Sequence, residues 1–256
     1  QQKDLAFAIS DLVDRQIDSL EVNDYIQFIT DYVLPGKHKE ITKVEVLRRL
    51  GVNDLEDLFP APSRIEPPKH LINRSCYGDL VTEIVNANTP IVITAEGGVG
   101  KTVTLSAVSK LLPNGSQSVL YDCFGQGDYR NLTHARHQHQ HAFLQIVNEC
   151  AQKLLCGRKL KFDTDTVRAT KTFFRSLKKA AEELKKANSD SLLVLFIDAS
   201  DNAKMAANLF KHHCFVDILL NERMPEGVKL VVSTRPERVD LLDLPDEYEE
   251  FKIKPF

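Results

Sequence analysis

The chain has 256 residues, of which 43% are hydrophobic and 27% charged, and its formal net charge is −3. This is the composition of a globular protein with one substantial core and at most a small appendage, and it gives no global argument for nucleic-acid binding. No apolar run is long enough to cross a bilayer, no secretory leader is visible, and five scattered cysteines without CxxC spacing favour free thiols in the cytoplasm.

Residues 1–59 have apolar side chains at three- and four-residue spacing, which predicts a small helical region. We expect this region to be a connector or the end of an N-terminal effector, because the chain begins Gln-Gln without Met and ends on a strand-like segment. Within it, residues 41–59 faintly suggest a helix-turn-helix, although helical packing is the commoner origin of such spacing. Residues 60–70 contain four prolines and no periodicity, so they are predicted to be a linker that precedes a domain at 71–256.

The segment from Ile91 to Thr94 is apolar, which predicts a strand, and a glycine-rich turn and a helical pattern follow it. Strand, turn, Gly-Lys-Thr and helix in this order are typical of a P-loop, whose backbone N–H groups surround phosphate oxygens. We predict that Lys101 reaches the β- and γ-phosphates and that Thr102 binds Mg²⁺. The residues expected around the phosphates are Ala95, Glu96, Gly97, Gly98, Val99, Gly100, Lys101, Thr102 and Val103.

Five positions near the loop give more specific expectations. Gly97, Gly98 and Gly100 are expected to allow a positive φ. Ala95 stands where the first glycine of the motif is usual, and its methyl group is acceptable if the residue keeps an ordinary φ. Arg74 could approach the nucleotide from the preceding segment, and a solvated arginine is the alternative.

The next predicted strand, residues 118–124, leads into a polar loop with histidines at 134, 137, 139 and 141. We expect a solvated or partner-facing loop there, because no cysteine or carboxylate set completes a zinc site. Arg130 and Arg136 are candidates for phosphate or protomer contacts. Two helices are predicted next, at 141–155 and 166–187.

Residues 192–197 form an unbroken apolar run that predicts a central strand ending at Asp198. A carboxylate at that end of a parallel strand lies where such sheets bind ligands, so Asp198 is predicted to hold Mg²⁺ with Thr102. Asp201 could orient or deprotonate the attacking water, or it could cap the next helix. Asn202 can position water but cannot accept its proton, which predicts slow hydrolysis.

A helix is predicted at 202–220, and the sequence KLVVSTRPE that follows indicates another buried strand. If this strand neighbours the first one, Ser233, Thr234 and Arg235 would lie beside the γ-phosphate, and Arg235 could sense it. Residues 251–256 alternate like an edge strand. The alternation of strands and helices predicts a three-layer α/β P-loop domain with a parallel sheet.

The motifs AEGGVGKT, FIDASDNA and VVSTRPE together resemble the NTPase core of STAND proteins, the NACHT- and NLR-like signal-transduction ATPases, and most of all the bacterial antiphage members. The resemblance covers residues 71–256 and implies an ASCE-type sheet and ATP or dATP with Mg²⁺. It also implies self-association into an oligomer through the NTPase core once a sensor region outside this chain meets its trigger, such as a phage protein.

Three other functions are compatible with the same motifs. A binding module could hold nucleotide without turning it over. An AAA-like motor ATPase should show fast turnover and an arginine finger, and the sequence assigns no such finger. A small-molecule kinase needs a substrate pocket with its own acid or base, which the sequence does not single out.

Overall fold

The structure is a computed structural model that describes residues 61–65, 74–132, 134–159 and 162–255. Apart from Lys159, these residues belong to one compact unit, Phe59–Arg158 with Phe162–Phe256. The predicted helical region at 1–59, the helix-turn-helix pattern and the second half of the predicted linker lie outside the described residues. The predicted domain boundaries therefore stay predictions.

Five parallel strands form one sheet in the order β2-β3-β4-β1-β5. The strands are β1 (Ile91–Thr94), β2 (Gln117–Asp122), β3 (Leu193–Asp198), β4 (Val228–Thr234) and β5 (Glu249–Lys252). β4 lies between the strand of the glycine loop and the strand of Asp198, so β1 and β3 are not neighbours. The carboxyl ends of all five strands meet at one edge, and this edge is where parallel sheets bind ligands.

Six α-helices connect the strands in the described part of the chain, and two 3₁₀ segments follow β2 and β4. The helices are α1 (Cys76–Asn86), α2 (Lys101–Val108), α3 (His139–Gln152), α4 (Thr166–Ala187), α5 (Ser200–Phe210) and α6 (Phe215–Asn221), and the 3₁₀ segments are Gly125–Arg130 and Pro236–Leu241. The start of α4 is fixed by Asp165, whose side chain accepts a hydrogen bond from the Arg168 backbone N–H at 2.8 Å.

The side chains of β3 alternate between two separate apolar clusters, which shows that the sheet is covered on both faces. Leu193, Leu195 and Ile197 pack with α3, α4, α5 and α6. Val194 and Phe196 pack with α1 and α2 on the other face. All of these side chains are fully buried, as a central parallel strand requires. The predicted three-layer α/β fold with a parallel sheet is confirmed.

Most predicted elements are present, and several boundaries differ. The strand predicted at 118–124 spans Gln117–Asp122, and the helix predicted at 141–155 spans His139–Gln152. The helix after the glycine loop ends at Val108 instead of residue 112, and the edge strand spans Glu249–Lys252 instead of 251–256. The helix predicted at 202–220 is two helices, because Lys211 takes a left-handed φ of 57° and ends α5. The next residue, His212, hydrogen-bonds to His137, so a tertiary contact interrupts the local helical pattern.

None of the described helices is both long and apolar enough to cross a bilayer. All five cysteines are free thiols, as their spacing predicted.

Candidate functional site

The loop between β1 and α2 is open in front of its glycines. Gly98 and Gly100 have φ values of 80° and 97°, a conformation that glycine adopts without steric cost. Gly97 does not share it, so the prediction of a positive φ at all three glycines is wrong at this position. Ala95 has an ordinary φ, which explains why a methyl group is accepted there. A β-carbon on Gly97 or Gly98 would meet no atom within 4 Å, so no side chain packs against these two glycines.

Lys101 is the first residue of α2, and its ammonium group lies back over the loop. It donates hydrogen bonds to the backbone carbonyls of Ala95 and, at 3.1 Å, of Glu96. Burial lowers the pKa of Lys101, the carboxylates of Asp201 and Asp198 oppose that change, and the positive charge of Arg235 adds to it. The structure therefore brings the predicted lysine, the two predicted acids and the predicted arginine within electrostatic range of one another.

Thr102 and Asp198 are in direct contact, although 96 positions separate them in the sequence. The Thr102 hydroxyl donates to Asp198 Oδ2 at 2.5 Å, and the Ser233 hydroxyl donates to Oδ1 at 2.6 Å. Asp198 is only 3% exposed. Burial raises its pKa, the neighbouring Asp122 raises it further, and the two hydroxyl hydrogen bonds oppose the rise. Neutralisation of this carboxylate by a cation would remove the cost of burying its charge.

A hydroxyl and a carboxylate oxygen are the two protein ligands that hold Mg²⁺ in P-loop NTPases. Thr102 and Asp198 supply this pair from α2 and from the end of β3, at the carboxyl edge of the sheet. The donor set therefore fits Mg²⁺, which leaves its other coordination positions to water and phosphate. The described residues contain no group of three or more His, Cys, Asp or Glu side chains that could hold a metal ion by themselves.

Asp201 lies in the first turn of α5 and does not cap this helix, whose N-cap residue is Ala199. Its carboxylate is buried and accepts a hydrogen bond from Arg238 Nη1 at 2.9 Å. The capping alternative is therefore wrong, and the sequence did not identify Arg238 as a partner. Asn202, in the same turn, is 5% exposed. Ala199 itself has a left-handed φ of 55°, which is strained for a residue with a β-carbon.

The end of β4 neighbours β1 as expected, and Thr94 pairs with Thr234 in the register. Ser233 is fully buried, and its oxygen also accepts the Ala199 backbone N–H at 2.9 Å. Ser233 therefore orients Asp198, and its expected place beside a phosphate stays a prediction. Thr234 is also buried and donates to the Arg235 carbonyl at 3.4 Å. Arg235 is the first of these residues with an accessible side chain.

Arg74 contacts the glycine loop through the protein backbone. Its guanidinium donates to the Val99 carbonyl at 3.1 Å and to the Lys254 carbonyl. The solvated alternative is therefore wrong, and Arg74 connects the loop to the segment after β5. Val103 lies in the first turn of α2, partly exposed.

Arg136 is fully buried, so the prediction that it contacts a phosphate or another protomer is wrong. It donates to the backbone carbonyls of Asp122 and Pro62, each at 2.8 Å, and to that of Ala61 at 3.4 Å. A β-carbon on Gly125 would approach Arg136 Nε to 2.3 Å, which is why a glycine stands there. Arg130, in contrast, is exposed and stacks on the Tyr129 ring at 5.1 Å.

Two of the four histidines predicted in the polar loop, His137 and His139, are buried and contact other parts of the protein. His137 is fully buried, stacks on Phe210, and lies 2.9 Å from His212 between ring nitrogens. His139 is 7% exposed and contacts the Asp163 carbonyl. The prediction of a solvated loop is wrong for these two residues, because His137 packs at the end of α5 and His139 packs beside Phe143.

The glycine loop after β1, Lys101 and Thr102 at the start of α2, and Asp198 at the end of β3 stand in the relation found in P-loop NTPases. The family model described as "Nephrocystin 3, N-terminal" matches residues 73–235, which is more than half of the chain. The chain belongs to this family.

Two solved structures match part of the chain. One is the Walker-type ATPase PABY2304 of Pyrococcus abyssi, with 14% identity and a TM-score of 0.42, and the match covers 73% of this chain and 56% of that one. The other is PCH-2 of C. elegans, with 13% identity, a TM-score of 0.34, and 73% and 45% coverage. The chain thus spans about half the length of these structures. No curated protein matches it in sequence.

Proposed function

We propose that this chain binds ATP or dATP with Mg²⁺ through residues 95–103 and acts as a molecular switch that hydrolyses the nucleotide slowly. The observation that carries this proposal is the 2.5 Å contact between the Thr102 hydroxyl and the Asp198 carboxylate, next to Lys101. A cation at this point would have two oxygen ligands from the protein, one from the P-loop helix and one from β3.

Lys101 is the group that would exchange its partners when a nucleotide binds. It now donates to the carbonyls of Ala95 and Glu96. Phosphate oxygens carry full negative charge and accept stronger hydrogen bonds than carbonyl oxygens do. The backbone N–H groups at the start of α2 add the favourable field of a helix N-terminus. Arg235, which influences the pKa of Lys101, would share the γ-phosphate.

The switch would follow from a difference in these contacts between nucleotide states. A nucleotide shifts a conformational equilibrium only by its differential affinity for the two states, so contacts of Lys101 and Arg235 to the γ-phosphate would favour one of them. We infer a role as the NTPase core of a cytoplasmic STAND protein in antiphage defence. In this role, the ATP state allows self-association through the core, and a trigger such as a phage protein acts on a region outside this chain.

A second function, a scaffold that retains nucleotide without hydrolysis, is favoured by Asn202. Its amide stands next to Asp201 and cannot accept a proton from water. Wild-type protein with γ-labelled ATP separates the two functions. Slow phosphate release supports the switch, whereas tight ATP retention with no release supports the scaffold. Fast turnover would instead indicate a motor-type ATPase.

Nucleotide binding itself is tested with a fluorescent ATP analogue and Mg²⁺, titrated into wild-type protein and into Lys101→Ala. Loss of the ammonium should weaken binding by roughly tenfold or more, because charge-assisted hydrogen bonds to phosphate are lost. Lys110→Ala is the matched control, since this lysine follows the same helix and is exposed. Equal affinity of Lys101→Ala and wild type would overturn the assignment of the site. Mass photometry with and without Mg²⁺-ATP tests the self-association.

A further inference from the structure

Asp201 is a buried carboxylate whose ion-pair partner among the described residues is Arg238. Its side chain is 2% exposed, and the guanidinium of Arg238 donates to Oδ2 at 2.9 Å. A buried charge without a partner is expensive, and the bond to Arg238 offsets this cost and fixes the orientation of the Asp201 carboxylate. No described residue donates a hydrogen bond to the other oxygen, Oδ1, and this oxygen is not fully enclosed.

Arg238 reaches Asp201 because the chain turns back after β4. The 3₁₀ segment Pro236–Leu241 packs against α5 and places the arginine over the first turns of this helix. Arg238 Nη1 also lies 3.2 Å from Met205 Sδ. Asp201 and Met205 are four residues apart and therefore share one face of α5. The guanidinium is thus held from two points on that face, and its side chain remains 25% exposed.

We propose that Arg238 is a positioning residue for ATP hydrolysis, which acts through Asp201. This inference rests on the proposed function. Arg238 occupies Oδ2 and so leaves Oδ1 to accept a hydrogen bond, and then a proton, from the attacking water. The water oxygen bonds to the γ-phosphorus, the bond from this phosphorus to the bridging oxygen breaks, and ADP leaves with that electron pair. Asp201 then releases the proton to solvent.

The two arginines of the STRPER sequence thereby have separate roles. Arg235 directly follows β4 and lies within electrostatic range of Lys101, where the phosphates are expected. Arg238 contacts the carboxylate that accepts the proton of the attacking water in the proposed step. Loss of Arg235 should therefore change ATP affinity, and loss of Arg238 should change turnover at nearly constant affinity.

The test is a double-mutant cycle in the full chain with Arg238→Met, Asp201→Asn and the double variant. Mg²⁺-ATP affinity and the rate of phosphate release are measured for each protein. Each single change should slow release by roughly 10- to 100-fold with little change in affinity. The double variant should be no slower than either single variant, because both changes remove the same function. Arg238→Lys should recover part of the rate, since it keeps the charge without the planar fork.

Arg223→Met is the matched control, because Arg223 is exposed and lies before β4, at the amino ends of the strands. Thermal unfolding shows whether each variant is folded. If Arg238→Met does not fold, Arg238→Lys replaces it in the double-mutant cycle. The proposal is overturned by independent, multiplicative effects of the two changes, by unchanged or faster release in Arg238→Met, or by a parallel loss of affinity. It is also overturned if wild type binds ATP but never releases phosphate. Failure of wild type to bind ATP refutes the proposed function itself.

Discussion

Asp198 shows how single residues set the properties of this site. Two hydroxyl groups, from Thr102 and Ser233, donate to its carboxylate, and the Cys123 backbone N–H donates to its carbonyl at 3.0 Å. Its side chain is therefore fixed before any ligand arrives. Because burial raises the pKa of Asp198, its negative charge is held at a cost that a cation would remove. The residue is thus preorganised for a metal.

The substitution Asp198→Asn tests this role at the residue scale. The amide has nearly the same shape, and hydroxyl groups can both donate and accept, so Thr102 and Ser233 keep partners and the fold should remain stable. The charge is lost, so Mg²⁺ should no longer strengthen ATP binding, and affinity in Mg²⁺ should fall by roughly tenfold or more. Titrations with Mg²⁺ and with EDTA measure the difference. Undiminished stimulation by Mg²⁺ would contradict the metal assignment.

At the scale of secondary-structure elements, Arg136 holds the connection from β2 to α3 in place through hydrogen bonds to backbone carbonyls. The arginine binds the carbonyls of Ala61 and Pro62, and the Asp122 carboxylate accepts the Arg64 backbone N–H at 3.0 Å. The segment 61–65 is therefore held on the end of β2, next to the strand that carries Asp198. The first half of the predicted linker is thus packed against the sheet, and Ala61 is fully buried.

Arg136→Met should destabilise the protein by roughly 2–4 kcal/mol, because three backbone carbonyls lose their donor in a buried place. Arg136→Lys should cost less, since an ammonium retains the charge and reaches some of these oxygens. Chemical denaturation measures both. Arg130→Met is the control and should change stability little, because Arg130 lies on the surface. Equal stabilities of Arg136→Met and Arg130→Met would show that the buried guanidinium does not stabilise the connection.

At the scale of the whole molecule, the sheet order explains which features were predictable. The glycine loop, β3 and the full extent of α4 are encoded by neighbouring residues, so periodicity and composition identified them. The Asp201–Arg238 pair and the contact of Arg136 with Pro62 join residues 37 and 74 positions apart. Such pairs depend on β4 lying between β1 and β3 and on turns after the strands, and local patterns carry no information about them. The same reason applies to His137, whose partner His212 follows the end of α5.

The buried His137 predicts how the stability of the whole protein depends on pH. Burial, aided by His212 and His141, lowers the pKa of His137 to about 4, whereas an unfolded histidine titrates near 6.5. Between pH 4 and 6.5 the unfolded chain binds more protons at His137 than the folded protein does. The contribution of His137 to the free energy of unfolding should therefore be full above pH 6.5 and should fall as pH decreases towards 4. The raised pKa values of Asp198 and Glu149 change the stability in the opposite direction as pH decreases. The contribution of His137 is therefore obtained as the difference between wild type and His137→Gln, a polar side chain that does not titrate. Melting temperatures measured from pH 4 to 8 should fall more steeply below pH 6.5 in wild type than in the variant, and parallel curves would refute the assignment.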